Sequence, residues 1–239
     1  MKNIKNVVSS GCSFVFGSCM WPGGDPRENS GEHLFKHRFT SVFSNEIGAK
    51  DINLAIGGGS NDRALRKIYE WIQNNKESVK DTFFIVGFTD LTRKDLYLDT
   101  FGKRVTWMKM YRRLKHSLPL SLGEGDVKEH IMAVIDKMFT YNEVEYKYFY
   151  NQKIEHEKLM RESELLQSYI ESMGGNITFF GALYRPIELD SRLNWYMPGG
   201  YDCWPTFLES YYDYRLEHPT ADDHEKLGKD LVKYYESNK

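Results

Sequence analysis

Short apolar runs alternate with stretches of helical period along most of the chain. Ile4 to Val8 is a continuous apolar run and predicts a first, buried strand. Phe35, Phe39, Val42, Phe43 and Ile47 recur at helical spacing, and Gly48 is a natural stop. Asp51 to Ala55 predicts a second strand. Ser60 or Asn61 can cap a helix whose buried stripe is Leu65, Ile68, Tyr69 and Ile72. Thr82 to Val86 is apolar without alternation, as a central parallel strand requires. Ile177 to Tyr184 is another strand candidate. Thr220 with Asp223 forms a Thr-x-x-Asp capping signal, and the helix it opens buries Leu227, Leu231 and Tyr234 or Tyr235.

Between the third and fourth of these strands the pattern turns helical, from about Lys94 to Gly175. Leu118-Pro119 and Gly123-Glu124-Gly125 interrupt it, and about Asn142 to Met173 reads as one long helix ended by Gly174-Gly175-Asn176. Alternating strands and helices predict an α/β sandwich, three layers around a mostly parallel sheet, with a helical insertion at about 94–175. A length of 239 residues suits one domain with ample core, and no internal repeat is evident.

Composition narrows the class. A formal net charge of −2 gives no global basic footprint for nucleic acid. No apolar run is long enough to span a bilayer, and the lysines near Met1 precede no apolar stretch of signal-peptide type. The cysteines are Cys12, Cys19 and Cys203, an odd and sparse set that predicts a reducing, cytoplasmic setting over a disulfide framework. Aromatic residues make up 15%, which suits either a filled core or an interface in the insertion between copies of the chain.

Several segments carry possible chemistry. Gly11-Cys12-Ser13-Phe14, Gly57-Gly58-Gly59-Ser60-Asn61 and Gly87-Phe88-Thr89-Asp90 each follow a predicted strand, where sites of open α/β sheets lie. His218-Pro219 precedes the last helix. A serine, glycine amides and an imidazole are the parts of an acyl-enzyme hydrolase. Ser13 is the candidate nucleophile, although a serine there also suits a turn or cap. Gly58 is the candidate oxyanion amide, although the same run suits an ordinary turn or a phosphate cradle. It matches neither G-x-G-x-x-G nor a Walker loop, which weakens a nucleotide reading. His218 is the candidate base, or a capping histidine; His224 falls inside the helix and ranks below it. His33 and His37 have metal-pair spacing without a third ligand, and an amphipathic helix accounts for them better. Cys12 reads as packing. None of these segments calls for a cofactor or a metal.

These residues resemble the blocks of the SGNH (GDSL-type) hydrolase superfamily, most of all its divergent bacteriophage-encoded branch. Gly11-Cys12-Ser13 is similar to the first block, with Cys for the usual Asp. Asn53-x-Ala55-x-x-Gly58-x-Ser60 resembles the second, Gly87-Phe88-Thr89-Asp90 the third, and His218-Pro219 the last. The resemblance implies a flavodoxin-like sandwich and a serine esterase. Ser13 would be nucleophile, His218 base, and Ser13, Gly58 and Thr89 the oxyanion donors. Thr89 stands where the family has its oxyanion asparagine, and Asn61 is a spare amide that could substitute for it. Arg215 stands where the family's aspartate belongs, so Asp213 is the acid to consider, beside a Ser-His dyad oriented by a backbone carbonyl. The resemblance implies small esters or O-acylated carbohydrate as substrates, no cofactor, and the host cytoplasm or the virion as setting. The alternative is an impaired SGNH fold kept for binding or particle structure, favoured by Thr89 and the missing aspartate and opposed by the intact Ser13, Gly58 and His218.

Overall fold

Among the described residues four parallel strands form one sheet, in the order Lys50–Asn53, Asn6–Ser10, Thr82–Phe88 and Asn176–Gly181. The computed structural model describes residues 4–18, 36–98, 103–107, 150–183, 191–201, 203–204 and 219–238. Within them the chain runs β1 (Asn6–Ser10), α1 (Ser13–Phe16), α2 (Phe39–Glu46), β2 (Lys50–Asn53), α3 (Asn61–Asn74) and β3 (Thr82–Phe88). It continues with β4 (Lys94–Leu98), β5 (Lys103–Trp107), α4 (Gln152–Ser172), β6 (Asn176–Gly181) and α5 (Ala221–Ser237).

Alternation along the strands splits the core in two. Val7, Phe83, Ile85 and Phe180 face α1, α2 and α5 through Val15, Phe39, Phe43, Leu227 and Leu231. Val8, Phe84, Val86 and Phe179 face α3 and α4 through Leu65, Ile68, Ile72, Leu159, Leu166 and Ile170. Both faces of β3 are therefore covered, and every residue from Thr82 to Phe88 is buried. The architecture is the three-layer α/β/α sandwich that the strand and helix alternation predicts. Among the described residues no helix is long and apolar enough to cross a membrane.

The helices start and stop for local reasons. Ser60 caps α3 by accepting from the Arg63 N–H at 3.2 Å. Thr220 and Asp223 close the predicted capping box on α5, with the Thr220 N–H donating to Asp223 Oδ2 at 2.9 Å. At the head of α2, buried Arg38 meets Asp51 of the edge strand β2. Arg38 Nη2 lies 2.7 Å from Asp51 Oδ2, and Ser41 Oγ donates to the same oxygen at 2.6 Å. Removing one partner of such a pair strands a buried charge, at about 3–5 kcal/mol.

Three expectations are corrected. Tyr69, placed in the buried stripe of α3, is 51% exposed; Ala64 shares the stripe with Leu65, Ile68 and Ile72 instead. Lys94 does not open a helical segment. β4 and β5 form an antiparallel hairpin with Leu96 opposite Val105 and Tyr97 opposite Arg104. Tyr97, Val105, Thr106 and Trp107 are strand formers that outweigh the interspersed charges. The long helix ending near Met173 is part of the sandwich rather than of an insertion, because Leu159, Met160, Leu166 and Ile170 pack in the core with β3 and β6. Residues 108–149 of the expected insertion lie outside the described residues.

The α2–α5 contact has no spare volume at Gly228. A Cβ there would approach Val42 Cβ to 2.7 Å and the Phe39 carbonyl oxygen to 2.9 Å. A glycine-to-alanine change inside a helix normally gains about 1 kcal/mol of propensity. Overpacking costs about 1–3 kcal/mol and falls partly on backbone here. Gly228→Ala therefore destabilises the protein, read as a lower urea midpoint at unchanged slope.

Candidate active site

The chain leaves β1 toward β2 on one side of the sheet and returns across it to β3 on the other. The carboxyl ends of β1 and β3 thus flank the point where strand order reverses, the usual binding crevice of a doubly wound sheet. Ser13 opens α1 just after β1, Gly57 to Asn61 follow β2, and Thr89 follows β3. The topology brings these three segments to one edge.

Missing side chains let the segments touch. A Cβ on Gly11 would lie 2.5 Å from Val15 Cγ2 and 2.8 Å from the Gly87 carbonyl oxygen. One on Gly87 would overlap the same Val15 methyl and reach 3.0 Å from Ala182 Cβ. One on Gly59 would lie 2.6 Å from the Gly11 carbonyl oxygen. Val15, fully buried, is thereby wedged between β1 and β3, and the turn after β2 lies directly on the turn after β1. The Ile56 N–H donates to that Gly11 oxygen at 3.4 Å. Asn53 adds a clamp: its Oδ1 accepts from the Ala55 N–H at 2.9 Å, and its Nδ2 donates to the Val15 carbonyl at 2.8 Å. In the sequence Asn53 stands out only as part of the Asn53-x-Ala55-x-x-Gly58-x-Ser60 motif. An asparagine two residues before a turn is the signal for such an Asx contact.

Ser13 is buried at 9% exposure. Among the described residues its hydroxyl and its N–H make no hydrogen bond, and neither does the Gly58 N–H. Gly58 sits at φ 73°, a left-handed conformation suited to glycine. Thr89 is 1% exposed, and its Oγ1 is buried without a partner. Asn61 is not a spare amide. Its Oδ1 accepts from the Thr89 N–H at 2.8 Å and its Nδ2 donates to the Thr89 carbonyl at 3.0 Å.

His218 and Asp213 lie outside the described residues, as does His33. Pro219 is buried and leads straight into the capped start of α5. His224 belongs to the packing: it is fully buried, Trp204 meets its ring edge-on at 4.8 Å, and its Nδ1 accepts from the Phe39 N–H at 3.2 Å. Cys12 is likewise buried in the core beside α1. Among the described residues no three His, Cys, Asp or Glu side chains gather as a metal site would require.

A separate groove of about 590 Å³ runs between α3 and α4 on the outer face, with Leu65 and Leu166 beneath Tyr69 and Leu165. Its rim holds Lys158, 3.5 Å from Asp62 and 3.9 Å from Glu162. Burial opposes the Lys158 charge, but Asp62, Glu162 and Glu155 outweigh it and raise its pKa. Burial raises the Glu162 carboxyl above its ordinary value, with Lys158 opposing. This groove holds none of Ser13, Gly58 or Thr89.

No protein-family model matches the chain, and no curated protein sequence does. Among solved structures, the crystal structure of TesA is similar with a TM-score of 0.47 and 9% identity, covering 98% of this chain and 99% of that one. A carbohydrate esterase, whose active site is described as displaying divergent catalytic and non-catalytic binding functions, gives 0.45 and 12%. That match covers 98% of this chain and 65% of the other. Likenesses at this level assign neither a family nor a role to any residue.

The contact between the first two turns has a direct test. Gly59→Ala forces its methyl onto the Gly11 backbone, and it lowers stability by about 1–3 kcal/mol in chemical denaturation. An unchanged midpoint would show that the two turns do not pack as described.

Proposed function

We propose that the chain is a serine ester hydrolase working through an acyl-enzyme. The observation that supports this most is the unengaged hydroxyl and N–H of Ser13 beside the turn that holds the unengaged N–H of Gly58, at the strand-order reversal. The Ser13 N–H is open as the first of α1 and that of half-buried Gly58 lies in the adjoining turn, and open main-chain N–H groups at such a place suit an anionic oxygen.

In this reading Ser13 Oγ attacks the acyl carbonyl carbon while His218 takes its proton. The carbonyl π electrons move to oxygen, and the amides of Ser13 and Gly58, with the Thr89 hydroxyl, hold the resulting oxyanion. The oxyanion collapses, the carbon–oxygen bond to the leaving alcohol breaks, and His218 returns the proton to that alcohol. Water repeats the sequence on the acyl-serine and releases the acid. Asp213, or a backbone carbonyl, orients the imidazole. Small esters, including O-acetyl groups on carbohydrate, are the substrate class the motifs suggest.

One observation favours a second reading, a fold kept for binding or for particle structure. The Thr89 hydroxyl is buried, whereas an oxyanion donor has to reach the substrate. Hydrolysis of p-nitrophenyl acetate by the wild type, Ser13→Ala and His218→Ala distinguishes the two. The hydrolase reading predicts a clear wild-type rate that falls at least about a thousandfold in both folded variants. Equal background rates in all three proteins, with no covalent capture of Ser13, would support the binding reading.

A further inference from the structure

The end of β3 poses a problem that Asn61 solves. β1 pairs with β3 from Asn6 opposite Thr82 to Ser10 opposite Val86, then turns away at Gly11. β6 stays paired as far as Phe88 opposite Gly181. In a strand the N–H and carbonyl of one residue face one side and those of the next residue the other. The Phe88 carbonyl faces β6, where it accepts from the Ala182 and Leu183 N–H groups, both at 2.9 Å. The N–H and carbonyl of Thr89 therefore face the side that β1 has left. At 1% exposure water does not serve them, and a bare buried peptide is costly.

Asn61, 5% exposed, takes the place of the departed strand. Its carboxamide presents an acceptor and a donor on one rigid plane, as a peptide neighbour does, and engages both Thr89 groups at 2.8 and 3.0 Å. Aspartate has the shape but no donor, and would set an oxygen against the Thr89 carbonyl. Asn61 is itself held, as the first residue of α3, by the Ser60 cap, and it follows Gly58 by three positions.

We propose that Asn61 is a positioning residue: it stands in for the missing strand and fixes Thr89 relative to the Gly58 turn, so that both meet one oxyanion. The consequence for catalysis rests on the hydrolase reading; the structural half does not. Thr89 is thus tied to the Gly58 turn through a side chain instead of through the sheet.

Two measurements test this. The first is amide hydrogen exchange of the wild type, resolved by residue. Thr89 should be protected comparably to Val86, and fast exchange at Thr89 would overturn the proposal without any variant. The second compares Asn61→Asp and Asn61→Ala with the wild type. In these, exchange at Thr89 should quicken at least tenfold while Ile85 keeps its protection. The maximal rate of Ser13 phosphonylation by a fluorophosphonate should fall at least tenfold, with the half-saturating reagent concentration unchanged. Loss of affinity alone, or an unchanged rate beside quickened exchange, would refute the positioning role. A wild type that does not react at Ser13 refutes the hydrolase reading, and with it the catalytic consequence. Protection at Thr89 then decides the strand-substitute role by itself.

Discussion

The site depends on places where a side chain would not fit. Gly11, Gly59 and Gly87 each lack room for a Cβ, and the space is taken by Val15 of α1, by Ala182 or by neighbouring main chain. Val15 enters the space that Gly11 and Gly87 leave open, and the Gly11 carbonyl lies where a Gly59 side chain would be. The turns after β1, β2 and β3 therefore rest on one another. Main-chain contact at Gly11 and Gly59 and the short side chains of Val15, Asn53 and Asn61 together set the distances between their functional groups.

The rest of the sandwich serves that contact. Both faces of β3 are buried by helices, so the strand ends that carry the turns are fixed from two sides. Asn53 ties α1 to the turn after β2, and Asn61 ties that turn to Thr89. Among the described residues some polar groups at this edge are left without partners. The Ser13 and Gly58 amides and the Thr89 hydroxyl are among them.

Much of this was legible in the sequence where a local rule decides the outcome. The apolar runs gave the parallel strands, the small residues after them gave the turns, and Thr220 with Asp223 gave the start of the last helix. What depends on a distant partner was not legible. Periodicity in α4 shows an apolar stripe but not what covers it, so the helix read as an insertion although it packs on β6. Tyr69 borders the stripe of α3 and faces the outer groove, a choice set by the neighbouring helix. β4 and β5 were hidden because charged residues diluted their alternation. Asn61 was read as a spare amide, since nothing in a linear sequence shows that β1 ends before β3 does.

In the proposed function Ser13 is an activated nucleophile at the strand-order reversal. Intact-mass and peptide mass spectrometry after incubation with a fluorophosphonate tests it most directly, because the serine oxygen bonds phosphorus, fluoride leaves, and no natural substrate is needed. One adduct is expected, on Ser13, absent from the folded Ser13→Ala protein. A folded wild type that gains no adduct at Ser13, or gains it only on denaturation, would contradict it.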